Sequence, residues 1–111
     1  MRNRWNDWLR QAKRDLAHAR RDLEDEFYEW ACFSAQQAAE KAVKAVYLFR
    51  NMEAWGHSVS GLLMHLLEIG ARLDRFYIPT RYANSFETGA PKEAIQHAEE
   101  IIKYCEGLLT G

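Results

Sequence analysis

The residues best suited to chemistry lie in a short aromatic segment around Arg81. Thr80 and Tyr82 flank this arginine, and Tyr77 stands just before them. A guanidinium can bind a phosphate through two hydrogen bonds while a neighbouring ring stacks on a base. The sequence therefore predicts that Tyr77, Thr80, Arg81 and Tyr82 bind a ligand or a partner. The alternative is that Arg81 fastens the segment to a helix carboxylate such as Glu40.

A second set of polar side chains recurs at helical spacing in the alanine-rich stretch 30–50. Its members are Gln37, Glu40, Lys41 and Lys44, with Phe33 at the start. Amides and charges interleaved with alanines predict a helix surrounded on most sides, and these side chains are the expected opposite wall of the Arg81 site. The alternative is a solvated surface, because Glu40 and Lys44 form an i, i+4 pair worth only about 0.3–0.5 kcal/mol when exposed.

Four stretches have apolar residues at helical spacing, and none shows the alternation of apolar and polar residues that is typical of a strand. The first covers 4–26, the second 30–50 and the third about 58–75, and the last begins at Pro91. An irregular but aromatic loop, 76–91, precedes the last helix. The predicted fold is all-α. It is an antiparallel up-and-down four-helix bundle, with room for a fifth short helix and one structured loop before the last helix.

The junction between the first two helices is predicted at Asp25, Glu26 and Phe27, where the apolar stripe breaks phase. Apolar positions at spacings of three and four predict the buried face of each helix. In the first helix these are Trp5, Leu9, Ala12, Leu16, Ala19 and Leu23. In the second they are Ala31, Ala35, Ala38, Ala42, Val46 and Phe49. In the last they are Ala94, Ile95, Ala98, Ile101, Ile102, Cys105 and Leu108 or Leu109.

The length of the chain predicts one small domain over 1–111. The net charge is −1, from 15 basic and 16 acidic residues, so no global field for nucleic acid or membrane follows. The balance is uneven, because residues 1–22 hold seven Arg and Lys against three Asp. No stretch has the pattern of a signal peptide or a membrane span.

The cysteines and histidines give no pattern for a metal or cofactor. Cys32 and Cys105 are far apart, without a CxxC pair, and are interpreted as buried thiols of a cytoplasmic protein. His18, His65 and His97 are isolated on predicted helices and are interpreted as structural or surface residues. We therefore expect no metal and no cofactor.

Aromatic content predicts a homodimer. The chain holds four Trp, five Tyr and five Phe, more than one small bundle readily buries. Aromatic residues are enriched at protein interfaces. Trp5, Trp8, Trp30 and Trp55 are the candidates for such an interface.

Three blocks in this order resemble the HEPN family (higher eukaryotes and prokaryotes nucleotide-binding domain). They are FSAQQAAEKAVKA at 33–45, GHS at 56–58 and YIPTRY at 77–82, and the resemblance spans about 4–109. It implies a helical bundle, frequent homodimers and a separately encoded partner, a minimal nucleotidyltransferase. Such pairs often act as toxin–antitoxin modules. The chain looks shorter than its relatives between Glu68 and Ala71 and after Pro91.

Other branches of that family are metal-independent endoribonucleases with an Arg-x(4–6)-His motif. Six residues separate Arg50 from His57, which fits this spacing. The position departs from the family pattern, since Arg50 ends the second helix instead of opening a later one. In the alternative interpretation Arg50 closes the second helix and His57 caps the third. A binding subunit that pairs with a nucleotidyltransferase is therefore favoured, and an endoribonuclease using Arg50 and His57 is the alternative.

Overall fold

The described part of the chain is entirely helical. A computed structural model describes residues 4–51, 61 and 90–110, and three helices lie in these ranges. They are α1 (Arg4–Glu24), α2 (Tyr28–Phe49) and α3 (Pro91–Thr110). The all-α class is confirmed there. The predicted helix over 58–75 lies outside the described residues apart from Gly61, which is helical, and so does the loop apart from residues 90 and 91.

The turn between α1 and α2 falls where the sequence predicts it, at Asp25–Phe27. The Phe27 N–H donates to the Asp22 carbonyl (2.8 Å), and the Glu26 N–H donates to the Leu23 carbonyl (3.1 Å). This pair of bonds is a Schellman motif, which satisfies carbonyls that the helix end leaves open. The motif requires a left-handed residue, and Glu26 supplies it with φ 64°.

The second helix is the centre of the molecule. Half of its 22 residues are buried, and its alanines have no exposed surface. An alanine adds only a methyl group to the helix surface, so both neighbouring helices can approach closely. The predicted stripe is confirmed except at Phe49, which is 40 % exposed because it lies on the last turn, where its ring meets Trp5 edge to face (5.5 Å between centroids).

Contacts between helices establish their directions. Trp5 near the start of α1 meets Phe49 at the end of α2, so these helices are antiparallel. Lys13 pairs with Glu106 (2.7 Å) and Arg20 with Glu99 (2.8 Å), so α3 also runs antiparallel to α1. Hydrogen bonds and charge from Lys103, and then from Arg20, lower the pKa of the Glu99 carboxyl.

The remaining core follows the predicted stripes. Ala12, Leu16 and Ala19 of α1 are buried, while Leu9 and Leu23 are partly covered. The stripe of α3 is buried from Ala94 to Leu109. Both cysteines are buried free thiols, as predicted, and burial raises their pKa values. A thiol in this state is a poor nucleophile, so these cysteines are part of the packing.

The left-handed conformation of Glu26 yields a stability prediction. A side chain at this φ is less favourable than glycine by about 1 kcal/mol. Glu26→Gly should therefore raise the free energy of unfolding by about 1 kcal/mol and Tm by a few degrees in thermal denaturation. Asn51 ends α2 in the same conformation, with φ 56°. Asparagine tolerates it, so Asn51→Gly is the matched control and should change Tm much less. A fall in Tm for Glu26→Gly would contradict the argument.

Candidate functional site along the second helix

The predicted polar residues of α2 form a partly exposed row, and two of them, Lys41 and Lys44, also contact α1. Gln37, Glu40, Lys41 and Lys44 all have intermediate exposure. Phe33, on the same row, is 51 % exposed. These side chains share one row because they are spaced by three and four residues. The row is accessible enough to contact a ligand or partner.

Lys41 reaches across to α1. Its Nζ lies 2.8 Å from Asp15 Oδ2, and the two side chains are 24 % and 29 % exposed. That oxygen is shielded from solvent and has no aligned hydrogen-bond donor within the described residues, so the lysine acts as its charge partner. A partly buried ion pair is costly to break, because the remaining charge has no compensation. Asp15 was not anticipated from the sequence, since only the pairing of α1 with α2 brings it to Lys41.

Lys44 has two neighbours. Its Nζ lies 3.0 Å from Glu40 Oε1, which confirms the predicted i, i+4 pair. The same ammonium lies over the Trp8 ring, 5.7 Å from its centroid, in a cation–π contact. Lys41 and Lys44 thus each lie against a carboxylate, and the four charges cancel.

A histidine, an aspartate and a serine meet further along the same two helices. His18 Nδ1 lies 2.8 Å from Asp22 Oδ2 and 3.2 Å from Ser34 Oγ, and the Ser34 hydroxyl donates to Asp22 Oδ2 (3.3 Å). The sequence analysis interpreted His18 as an isolated structural or surface residue, without these partners. The three residues nevertheless do not form a catalytic relay, because a relay places serine and aspartate on opposite ring nitrogens. Here both approach Nδ1, so the cluster fastens α1 to α2.

These contacts define the α1–α2 seam: Trp8, Asp15, His18 and Asp22 on α1 with Ser34, Lys41 and Lys44 on α2. Asp22 and Ser34 are buried within it. Sequence reasoning singled out Lys41 and Lys44 as site residues but missed Asp15, Asp22 and Ser34, and it gave Trp8 and His18 other roles. The i, i+4 spacing of His18 and Asp22 was the one local signal that could have been used.

Arg50 lies at the far end of α2, about 9 Å along the axis beyond Lys44 at the usual helical rise. Its backbone N–H closes the helix by donating to the Val46 carbonyl (3.0 Å). Its exposed side chain has no hydrogen bond or ion pair with the described residues. His57, Tyr77, Thr80, Arg81 and Tyr82 lie outside the described residues, so no distance joins them to Arg50 or to the row on α2.

The described residues also bear on a metal site and on a membrane span. Across residues 4–51, 61 and 90–110, no three His, Cys, Asp or Glu side chains are grouped as a metal site would require. No helix in the described part is both long enough and apolar enough to cross a bilayer. His97 is buried on α3, in keeping with a structural residue.

Comparison with known proteins identifies the family. The model of the HEPN domain matches residues 5–108. The chain belongs to the HEPN family. The family resemblance of the three sequence blocks is thereby confirmed. No functionally curated protein matches the chain.

Solved HEPN-like structures resemble the whole chain. TT1696 from Thermus thermophilus is 38 % identical, with a TM-score of 0.71 over 97 % of this chain and 100 % of that one. A HEPN domain protein from Thermotoga maritima is 36 % identical, with a TM-score of 0.56 over 94 % and 92 %. An archaeal HEPN homologue, ST0689, is 40 % identical, with a TM-score of 0.53 over 96 % and 92 %.

The ion pairs of this HEPN protein are predicted to differ in coupling energy according to their exposure. A double-mutant cycle on Asp15 and Lys41 should give a coupling of about 1–2 kcal/mol, because the pair is shielded from water. The matched control is Arg21 with Asp25, 4.0 Å apart and with side chains 78 % and 54 % exposed. That exposed pair should couple by less than about 0.5 kcal/mol. Urea denaturation of the single and double alanine variants measures both, and equal couplings would refute the structural role of Lys41.

Proposed function

We propose that this HEPN protein is the subunit of a toxin–antitoxin-type module that pairs with a minimal nucleotidyltransferase. It binds that partner, and nucleotide or RNA, beside α2. The observation that carries the proposal is the HEPN match over residues 5–108. The partly open row on α2 supports it, because it offers an amide and paired charges to a neighbour.

The charges on α2 indicate how such a site would work. Asp15 and Glu40 offset Lys41 and Lys44, each at 3.0 Å or less. A phosphate bound at the row alone would have to displace a carboxylate from a lysine. The row is better suited to hydrogen bonds with a base or a protein surface. The cation for a phosphate is then Arg81, whose guanidinium suits bidentate binding.

Homodimer formation belongs to the same proposal. Among the predicted tryptophans, Trp5 and Trp8 pack against the core and Trp30 is 61 % exposed, while Trp55 lies outside the described residues. Trp5 and Trp8 thus serve the fold of one protomer first. A light-scattering mass at micromolar concentration determines the oligomeric state.

Arg81 is the residue on which ligand binding is predicted to depend. Arg81→Ala should weaken binding of nucleotide, RNA or the nucleotidyltransferase by about 1.5–3 kcal/mol, the scale of a charged hydrogen bond. Its Tm should change little, because the predicted role is contact with the ligand. Isothermal titration and thermal denaturation of the same variant measure both effects.

Arg14→Ala is the matched control for that variant. Arg14 is exposed and makes no hydrogen bond or ion pair within the described residues, so its loss should alter neither property. The opposite pattern for Arg81→Ala, a clear fall in Tm with binding unchanged, would make Arg81 a structural residue that fastens the loop.

The second candidate function is a metal-independent endoribonuclease. Its support is the exposed Arg50 side chain, which is free to meet a phosphate in the described part of the structure. His57 would act as the base toward a ribose 2′-hydroxyl. This candidate stands second because Arg50 ends α2, whereas the nuclease motif of the family typically lies near the start of a later helix.

Cleavage assays in EDTA separate the two candidates. We expect no cutting of single-stranded RNA by the purified protein, or cutting that His57→Ala leaves unchanged, because a contaminating nuclease would not depend on His57. His18→Ala serves as the control for loss of a histidine. A robust activity that survives in His18→Ala but disappears in both His57→Ala and Arg50→Ala would establish the endoribonuclease.

A further inference from the structure

Exposed aromatic side chains are concentrated at one place in the described structure, the turn into α2. Phe27 is 57 % exposed, Tyr28 49 %, Trp30 61 % and Phe33 51 %. Trp30 and Phe33 form an edge-to-face pair with centroids 6.1 Å apart. We call these four residues the aromatic turn surface. Exposed rings that lie in contact, as Trp30 and Phe33 do, mark interaction surfaces more often than solvated ones.

Four acidic residues lie among or directly beside the residues of the aromatic turn surface in the described part of the chain. Glu24, Asp25, Glu26 and Glu29 are all exposed. No Lys or Arg occurs in residues 22–40. The nearest basic residue before that range, Arg21, lies 4.0 Å from Asp25 and is itself largely exposed, so it neutralises little.

Glu26 contributes one of these negative charges, and its backbone conformation makes the turn less stable. Its left-handed backbone (φ 64°) is a conformation that favours glycine. With glutamate there, the turn is less stable than it could be and carries one more carboxylate. Residues that oppose stability in this way are characteristic of functional surfaces.

An apolar groove adjoins the aromatic turn surface and shares Tyr28 with it. Its lining consists of Leu23, Tyr28, Ala90, Pro91, Lys92 and Glu93. The two charged residues of the groove offset one another. The groove is thus able to receive an apolar side chain from the same partner that covers the rings.

Charge complementarity decides what can cover this surface. Four carboxylates repel the phosphates of RNA and the headgroups of anionic lipids. A second copy placed face to face across a two-fold axis would set these carboxylates against identical ones, an arrangement that like-charge repulsion strongly disfavours. Cationic side chains are attracted twice, by the carboxylates and by the faces of the rings.

We propose that the aromatic turn surface and its groove dock a basic amphipathic segment of another protein, with its apolar residues on the rings and its Lys or Arg residues on the carboxylates. The proposal goes beyond the pairing with a nucleotidyltransferase and does not depend on it. It also separates two surfaces of the chain. The basic segment docks at the start of α2, whereas the predicted contacts with nucleotide, RNA or the nucleotidyltransferase lie further along the helix, from Gln37 to Lys44.

The test uses the full chain and two fluorescent synthetic peptides. One is a short amphipathic helix of leucine and lysine, and the other has glutamate in place of every lysine. Fluorescence anisotropy should show binding of the lysine peptide that weakens with added salt, and no comparable binding of the glutamate peptide. Trp30→Ala and Phe33→Ala should each weaken binding about tenfold or more, as truncated aromatic anchors do.

Matched variants separate docking from folding. Phe49→Ala removes an exposed ring at the other end of α2 and should leave affinity unchanged. Asp7→Lys reverses an exposed charge on the first turn of α1, far from the surface, and Glu29→Lys reverses one on the surface. Only Glu29→Lys should weaken binding. Glu26→Gly should weaken binding a few-fold while raising Tm, a combination that loss of folding does not produce.

Three results would overturn the proposal. The first is equal binding of the lysine and glutamate peptides. The second is tighter binding of single-stranded RNA that Trp30→Ala abolishes. The third is a homodimer in light scattering that Trp30→Ala or Glu29→Lys dissociates, since a second copy would then cover the surface.

Discussion

Close packing of the alanines of α2 against both neighbouring helices governs the other contacts of the molecule. These alanines have no exposed surface and add little volume, so the helices can pack toward the short end of the usual range of about 8–10 Å. At that separation a lysine of α2 reaches a carboxylate of α1, and a serine reaches an aspartate. Lys41 is thereby held near Asp15, while Lys44 lies near Glu40 on its own helix, so the row on α2 presents oriented polar groups whose charges cancel. Chemistry that needs an unpaired cation must draw on residues beyond the row, such as Arg50.

Charge is segregated along the hairpin of α1 and α2. The first 22 residues carry an excess of Arg and Lys, whereas residues 22–40 carry carboxylates and no basic residue. A net charge of −1 conceals this division. Screening limits charge effects between exposed groups to about 8 Å in physiological salt, so partners respond to the local surface charge and not to the net charge. The two ends of one small HEPN domain can thus bind different partners.

The described helices, their boundaries and the family could all be predicted from the amino-acid order alone. Periodicity located α1, α2 and the start of α3 at Pro91 to within about two residues, because buried faces require apolar residues at fixed helical spacing. The three sequence blocks identified the HEPN family without any knowledge of the fold. The local pair of Glu40 and Lys44 was also predictable, since i, i+4 geometry needs only one helix.

The packing of the helices determines which of these side chains are in contact. The spacing of residues within one helix does not. Asp15 and Lys41 are 26 positions apart in the sequence, and no spacing rule within one helix relates them. Ser34 likewise reaches Asp22 only after the turn reverses the chain. The exposure of Trp30 was equally a matter of packing, because it depends on which sides of α2 its neighbours cover. Contacts between side chains of different helices depend on how those helices are placed in three dimensions. A periodic pattern in the sequence contains no information on that placement.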